Sequence, residues 1–160
     1  MPQDIVEPLN SIIVADEGLV IEEFRIGVTA DPLKTLPGTW VIADTIDGTI
    51  MQAGALAVGV IGIIIESATG SLTTPYAVGA SCRVVTGGDG LVLSRVAIGG
   101  GNIIPGTPIV TAADGLAQIQ KVGIPGAEGE IVALGETIHA NDGGSVTNAV
   151  VRIHHEVLDY

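Results

Sequence analysis

Pro37-Gly38-Thr39-Trp40-Val41-Ile42-Ala43, followed by Asp47-Gly48 and a hydrophobic run that closes on Glu66-Ser67, is met a second time in this chain. The second copy reads Pro105-Gly106-Thr107-Pro108-Ile109-Val110-Thr111, then Asp114-Gly115, then a run closing on Glu136-Thr137. Pro-Gly suits a type II turn, because proline presets φ and glycine accepts a positive φ at the next position. Asp-Gly between short apolar runs marks a tight hairpin reversal. Each opening therefore reads as turn, strand, turn, strand. Gly59-Val60-Ile61 answers Gly129-Glu130-Ile131, Glu66 answers Glu136, and Arg83-Val84-Val85 answers Arg152-Ile153-His154. Gly, Val and Ile are abundant, so any one match could arise by chance. Four features in the same order at nearly constant spacing point to two similar β units, about residues 37–85 and 105–155, with a connector over 86–104.

Composition agrees with an all-β chain. Hydrophobic residues make up 47% of the 160 and aromatics only 2%, so the core must be aliphatic. Glycine, at 23 residues, is about twice its usual share of roughly 7%. Helix formers never sustain a 3.6-residue period, whereas β-branched runs broken by glycine turns recur throughout. The length is one domain's worth. The fold class read from these features is all-β, a β-barrel or β-sandwich built from the two units, with an N-terminal extended arm.

The net charge of −12 comes from 6 Lys+Arg against 18 Asp+Glu. That balance opposes nucleic-acid binding, which needs clustered cations to release counterions. It also opposes anionic membranes and favours solubility or a basic partner surface. Cys82 is the sole cysteine, so no intrachain disulfide is expected, and its apolar setting suits a small buried hydrophobe. No basic segment followed by an apolar core opens the sequence, so no signal peptide is expected. The apolar run 53–65 is too short for a membrane span. A mean hydropathy of +0.56 in so acidic a chain suggests surface reserved for assembly.

Residues 1–36 stand outside the repeat. Ser11-Ile12-Ile13-Val14 and Leu19-Val20-Ile21 are short apolar patches around an Asp16-Glu17-Gly18 turn, and Phe24-Arg25-Ile26-Gly27-Val28 alternates like an edge strand. This segment reads either as an arm that packs on the body or on a neighbour, or as an edge hairpin of the same domain. Beyond it, residues 37–160 form the β body. Strands are expected at 39–43, 49–52, 57–65, 76–85, from 91, and at about 108–112, 116–122, 130–135 and 146–154.

Residues able to do chemistry are scattered. His154 and His155 are adjacent on a strand and so point to opposite faces, which prevents them from sharing a metal. His139 lies beside a turn with nothing to fix it near them. Asp16, Glu17, Glu22 and Glu23 lack the spacing of a calcium loop. Gly87-Gly88-Asp89-Gly90 and Gly99-Gly100-Gly101 lack the lysine and helix of a phosphate loop. Ser67, Ser81, Ser94 and Ser145 have no nucleophile-elbow context. Glu66 and Glu136, taken as a pair, would suit glycosidase chemistry. Each closes an apolar strand, however, where a structural carboxylate would accept backbone N–H bonds. Trp40, Phe24, Tyr76 and Tyr160 are too dispersed for a carbohydrate platform. The expectation is a structural or binding protein, not an enzyme, with no cofactor.

Gly59-Val60-Ile61-Gly62-Ile63-Ile64-Ile65-Glu66-Ser67-Ala68, then Ile103 to Gly115, then Glu128-Gly129-Glu130-Ile131-Val132-Ala133-Leu134-Gly135-Glu136-Thr137, make a recognisable pattern. With the Pro-Gly-Thr hairpin and the closing Val151-Arg152-Ile153 strand, it resembles the capsid decoration (cement) proteins of tailed bacteriophages, over roughly residues 37–155. The resemblance lies in turns and apolar strands. It implies a β-barrel or β-sandwich body, a homotrimer, and a place on the outer surface of the virion after synthesis in the host cytoplasm. The implied partner is the major capsid protein, with neither nucleic acid nor membrane. Ile12, Ile13, Val14, Leu19, Val20 and Ile21 are the expected capsid or subunit contacts, through addition of a strand to a neighbour. On that reading, removal of residues 1–21 would leave the body folded. The alternative function is a receptor- or glycan-binding β module of a virion fibre or surface structure. A third possibility is a small β-barrel enzyme with its site between subunits.

Overall fold

A computed structural model describes residues 11–16, 18–67, 71–97, 105–119, 131–137 and 148–158. Among them the protein is all-β, with eleven strands, no α-helix and one 3-10 turn at Ala113–Gly115. The strands are β1 (Ile13–Ala15), β2 (Val20–Ile26), β3 (Trp40–Ala43), β4 (Thr49–Gln52), β5 (Val60–Ile64) and β6 (Ser81–Gly87). They continue with β7 (Leu91–Arg95), β8 (Pro108–Thr111), β9 (Ala117–Ile119), β10 (Ile131–Thr137) and β11 (Asn148–Leu158). Five of them close a barrel in the order β2-β4-β3-β5-β6, and the other six form a sheet in the order β1-β7-β11-β10-β8-β9.

Turn chemistry places the hairpins where the sequence asks for them. Gly38 (φ 88) and Gly106 (φ 84) take the left-handed backbone after their prolines, and Gly48 (φ 74) and Gly115 (φ 70) take it after their aspartates. An L side chain would be strained at all four positions. β3–β4 and β8–β9 are the resulting antiparallel pairs.

The two halves share more than hairpins. β4-β3-β5-β6 and β9-β8-β10-β11 run in the same neighbour order, and every pair is antiparallel. β2 pairs antiparallel with β6 and parallel with β4. β7 pairs antiparallel with β11, and the next residue, Val96, makes a parallel bridge to Ala117 at the start of β9. The registers also correspond. Val41 faces Gln52 and Gly62, as Ile109 faces Ile119 and Gly135. Ile63 faces Val85 as Glu136 faces Arg152, and Arg25 faces Ser81 as Arg95 faces Asn148. Around the last contact, Ile26 faces Ile50 as Val96 faces Ala117.

Strand alternation divides the core in two. Ile26, Val41, Ile50, Ile64, Cys82 and Val84 fill the barrel. From the opposite faces of the same strands, Trp40, Ile63 and Val85 pack against Val92, Leu93, Ile109, Leu134 and Val150 of the second sheet. β5 is therefore buried on both sides, which is why its sequence is an unbroken apolar run. Backbone bonds cross the junction as well: Leu56 N–H to Thr111 C=O (2.8 Å), Gly115 N–H to Ala53 C=O (2.7 Å) and Arg95 N–H to Gly38 C=O (3.0 Å). The Arg95 guanidinium adds bonds of 2.7 Å to the carbonyls of Pro37 and Leu72.

Residues 11–36 enter both layers. Among the described residues β1 pairs with β7 alone, at the end of its sheet. β2 is a stave of the barrel between β4 and β6. Its presence there closes the ring, so removal of residues 1–21 would take away β1, the fully buried Ile12 and the first two residues of β2.

Candidate interaction surface

The six apolar residues expected to make contacts separate into three groups. Ile12 is fully buried in the shared core. Its N–H donates to Glu66 Oε2 (3.2 Å), its carbonyl accepts from Leu93 N–H (2.7 Å), and Ser11 Oγ donates to Glu66 Oε1 (2.9 Å). Glu66 thus fastens the start of the described chain, the structural use expected of a carboxylate at a strand end. Ile13 and Leu19 are half-buried against the same core. Val14, Val20 and Ile21 are exposed, at 51%, 51% and 40%.

The exposed residues lie where strand pairing stops. β2 is matched to β6 from Val20 to Arg25, but its ladder to β4 begins only at Arg25. Among the described residues, 20–24 have a strand on one side only. Residues 20–23 are exposed on both faces of the strand, and burial begins at Phe24. Arg25 N–H bonds to Gly48 C=O and Ile26 N–H to Ala80 C=O, so successive residues of β2 address alternate neighbours. By that alternation the backbone groups of Ile21 and Glu23 point to the open side. A cleft of about 300 Å³ marks the place where β4 begins, lined by Glu23, Phe24, Arg25, Asp47, Gly48 and Ser81.

The cleft continues as a polar trough. Glu23 and Ser81 also line a depression of about 160 Å³ with Tyr76 and Arg83, and Tyr76 and Ser67 lead on to another of about 260 Å³. Ser81 Oγ donates to Glu23 Oε1 across β2 and β6. Beneath the trough, burial pushes the Cys82 thiol up to about 12, and the nearby Glu23 carboxylate adds to the effect. Burial likewise raises the Tyr76 phenol to about 12, while its O–H donates to the Ile65 carbonyl at 2.8 Å. Neither group ionises near neutrality, so neither supplies a thiolate or phenolate nucleophile there.

Other charged groups serve local structure. Thr29 Oγ1 and N–H and Thr45 N–H all donate to Asp44, and the Thr29 bonds hold this carboxyl below its usual range. Lys34 and Asp114 form a 2.8 Å ion pair, which raises the lysine pKa. The same loops bring a second set of exposed apolar residues, Val28, Ile46 and Val78, to one end of the barrel.

Trp40 and Phe24 are core residues, Trp40 between the two layers and Phe24 against the barrel interior. His154 and His155 occupy adjacent positions on β11. His139, Ser145, Glu17, Gly99 to Gly101 and Tyr160 lie outside the described residues. Glu136 holds the register position of Ile63 rather than of Glu66, so the sequence match of these two glutamates does not carry into the strand ladders. The links between β4 and β5 and between β9 and β10 differ in length, which shifts the third strand of one half against the other. Among the described residues, no group of three or more His, Cys, Asp or Glu could hold a metal, and no helix is long and apolar enough to cross a membrane.

The open edge of β2 was not evident from sequence. Its one signal is the match of Arg25-Ile26 to Arg95-Val96, which places β2 and β7 at the same point of the two halves. Compared with known proteins, the chain matches no family model and no curated protein.

Proposed function

We propose that this protein is a structural component of a virion. It binds the outer surface of a tailed-phage capsid as a decoration (cement) protein and stabilises the shell. The observation that carries this reading is the apolar edge at Val20 and Ile21, which among the described residues is unpaired on the β4 side of a closed barrel. An extended segment of another protein can add to such an edge, with backbone bonds supplying affinity and side chains specificity. The similarity of residues 37–155 to cement proteins supports the same reading. The fold then consists of two similar β units, each a five-stranded ring preceded in sequence by its closing strand, β2 or β7. The protein assembles as a homotrimer, and its partner is the major capsid protein.

Such a protein works by thermodynamics alone. A ligand that binds the assembled shell and not its dissociated subunits stabilises the shell by mass action, by about 2.7 kcal/mol per site when its free concentration is 100 times Kd. The charge of −12 per chain calls for a basic capsid surface, and binding that weakens as salt screens it. The test is the copy number of the protein in purified virions of its source, measured against the major capsid protein by quantitative mass spectrometry. A ratio near one to one supports a cement protein covering the shell. A few copies per particle would favour a receptor- or glycan-binding role, for which the polar trough from Glu23 to Tyr76 is the site. Absence from particles overturns the virion reading.

A further inference from the structure

We infer that the open edge of β2 is an acceptor for one extended, basic strand of a partner protein, which lies antiparallel along residues 20–24. The two halves of the chain supply the argument. In the second half, the corresponding edge of β7 is already occupied: β1 lies along it with Ile13 opposite Val92 and Ala15 opposite Leu91, and Leu93 N–H donates to the Ile12 carbonyl at 2.7 Å. Register equates Leu91, Val92 and Leu93 with Ile21, Glu22 and Glu23. The protein therefore contains its own example of the complex. The edge that β1 covers on β7 is the one left open on β2 among the described residues, and Glu23 N–H stands where Leu93 N–H makes its bond.

Charge selects the occupant. The covered edge is apolar, whereas the open edge carries Glu22 and Glu23, with Asp47 in the adjoining cleft. Asp16 and Asp89 flank it in the turns at the starts of β2 and β7. A second copy of the chain would bring the same acidic groups against these. A strand with an apolar centre between basic ends would instead bring aliphatic side chains beside Val20 and Ile21, one on each face, and cations near the carboxylates. The source of that strand, an arm of the capsid protein, rests on the decoration reading; the edge and its preference for a basic strand do not.

The probe is a synthetic peptide, Lys-Lys-Ile-Ile-Val-Ala-Lys-Lys, which sets the sequence of Ile12 and β1 between lysine pairs. Its comparator carries glutamate pairs instead. Amide hydrogen exchange of the intact protein is followed by NMR. The lysine peptide is expected to slow exchange at Ile21 and Glu23 by about tenfold or more, and the glutamate peptide to leave both unchanged. Glu23→Pro removes the outward N–H together with the carboxylate that accepts from Ser81, and is expected to abolish the protection of Ile21. The double variant Val20→Lys with Ile21→Lys changes residues that are already exposed, so it keeps the fold, and it is expected to weaken peptide binding by about tenfold. Saturating lysine peptide without protection at these amides overturns the inference, as does equal protection by both peptides. Protection that rises with protein concentration alone would make a second copy the occupant and overturn it too. Peptide binding by a protein that is missing from virions would remove only the proposed source of the strand.

Discussion

Trp40 and Ser94 join the barrel to the second sheet through a hydrogen bond with no access to water. Both residues are 0% exposed. Trp40 Nε1–H donates to Ser94 Oγ at 2.7 Å, and the Ser94 hydroxyl donates onward to the Arg95 carbonyl at 3.2 Å. Ser94→Ala removes the acceptor and leaves the indole N–H buried without a partner. A hydrogen bond is worth only about 1 kcal/mol net, but an orphaned buried donor costs about 1–3 kcal/mol. The dryness of this site favours the middle of that range, about 2 kcal/mol, or a fall of about 4–8 °C in Tm for a chain of this size. Trp40→Phe removes the donor instead. In that background Ser94→Ala loses only the weaker bond to the Arg95 carbonyl and should cost less than about 1 kcal/mol, which leaves a coupling of about 1 kcal/mol or more. Urea unfolding followed by far-UV circular dichroism measures all four proteins, since Trp40 is the sole tryptophan and its loss silences the emission signal. A Ser94→Ala cost that is the same in both backgrounds, within about 0.3 kcal/mol, would refute the bond and with it this account of how the layers are joined.

Two further outcomes follow from close contacts and burial. A Cβ on Gly62 would lie 2.0 Å from the Val85 carbonyl oxygen, whereas one on Gly87 meets nothing within 4 Å. Gly62→Ala should therefore force β5 from β6 at a cost of about 1–3 kcal/mol and Gly87→Ala should be nearly neutral; equal unfolding midpoints for the two would contradict the register. Cys82 should resist thiol reagents in the native protein and react on unfolding. Because burial raises its folded pKa from the ordinary 9.0 to about 12, the stability it contributes is complete below the unfolded value and declines as pH rises from there toward the folded one. Cys82→Ala should flatten that alkaline decline, measured as unfolding midpoint against pH, and an unchanged slope would remove Cys82 as its cause.

Much of this architecture could be read from local chemistry. The Pro-Gly and Asp-Gly pairs fixed both hairpins, because few residues tolerate the backbone they require. The run from Ala57 to Ile65 announced a strand buried on two sides, and β5 occupies its centre. β2 was harder to recognise. Four exposed residues of either character begin it, so it shows neither a period of two nor a continuous apolar run. Its parallel pairing with β4 joins segments separated by a whole hairpin, and no turn residue advertises such a contact. The apolar letters of Ile12 and Val20 look alike in sequence, yet one lies in the core and the other in solvent. What separates them is pairing: Ile12 lies against β7 in the core, whereas Val20 precedes the ladder to β4, which begins at Arg25.

The differences between the two halves carry more information than their likeness. Arg95 spends its guanidinium on the carbonyls of Pro37 and Leu72, pinning the second sheet to the loops of the barrel half. Its counterpart in register, Arg25, is exposed and lines the cleft at the open edge. Val92 and Leu93 are buried beside β1, whereas their counterparts Glu22 and Glu23 face solvent. An edge covered within its own chain can be wholly apolar. An edge that stands open must stay soluble and must not pair with another copy of itself, and carboxylates along it meet both needs. Protection alone would be served by an edge without Val20 and Ile21. Keeping two exposed aliphatic residues beside two carboxylates repels an acidic twin and still rewards a strand that brings aliphatic and basic side chains together. On the inferred complex, the barrel's edge is guarded against its own kind and left open to a partner of opposite charge.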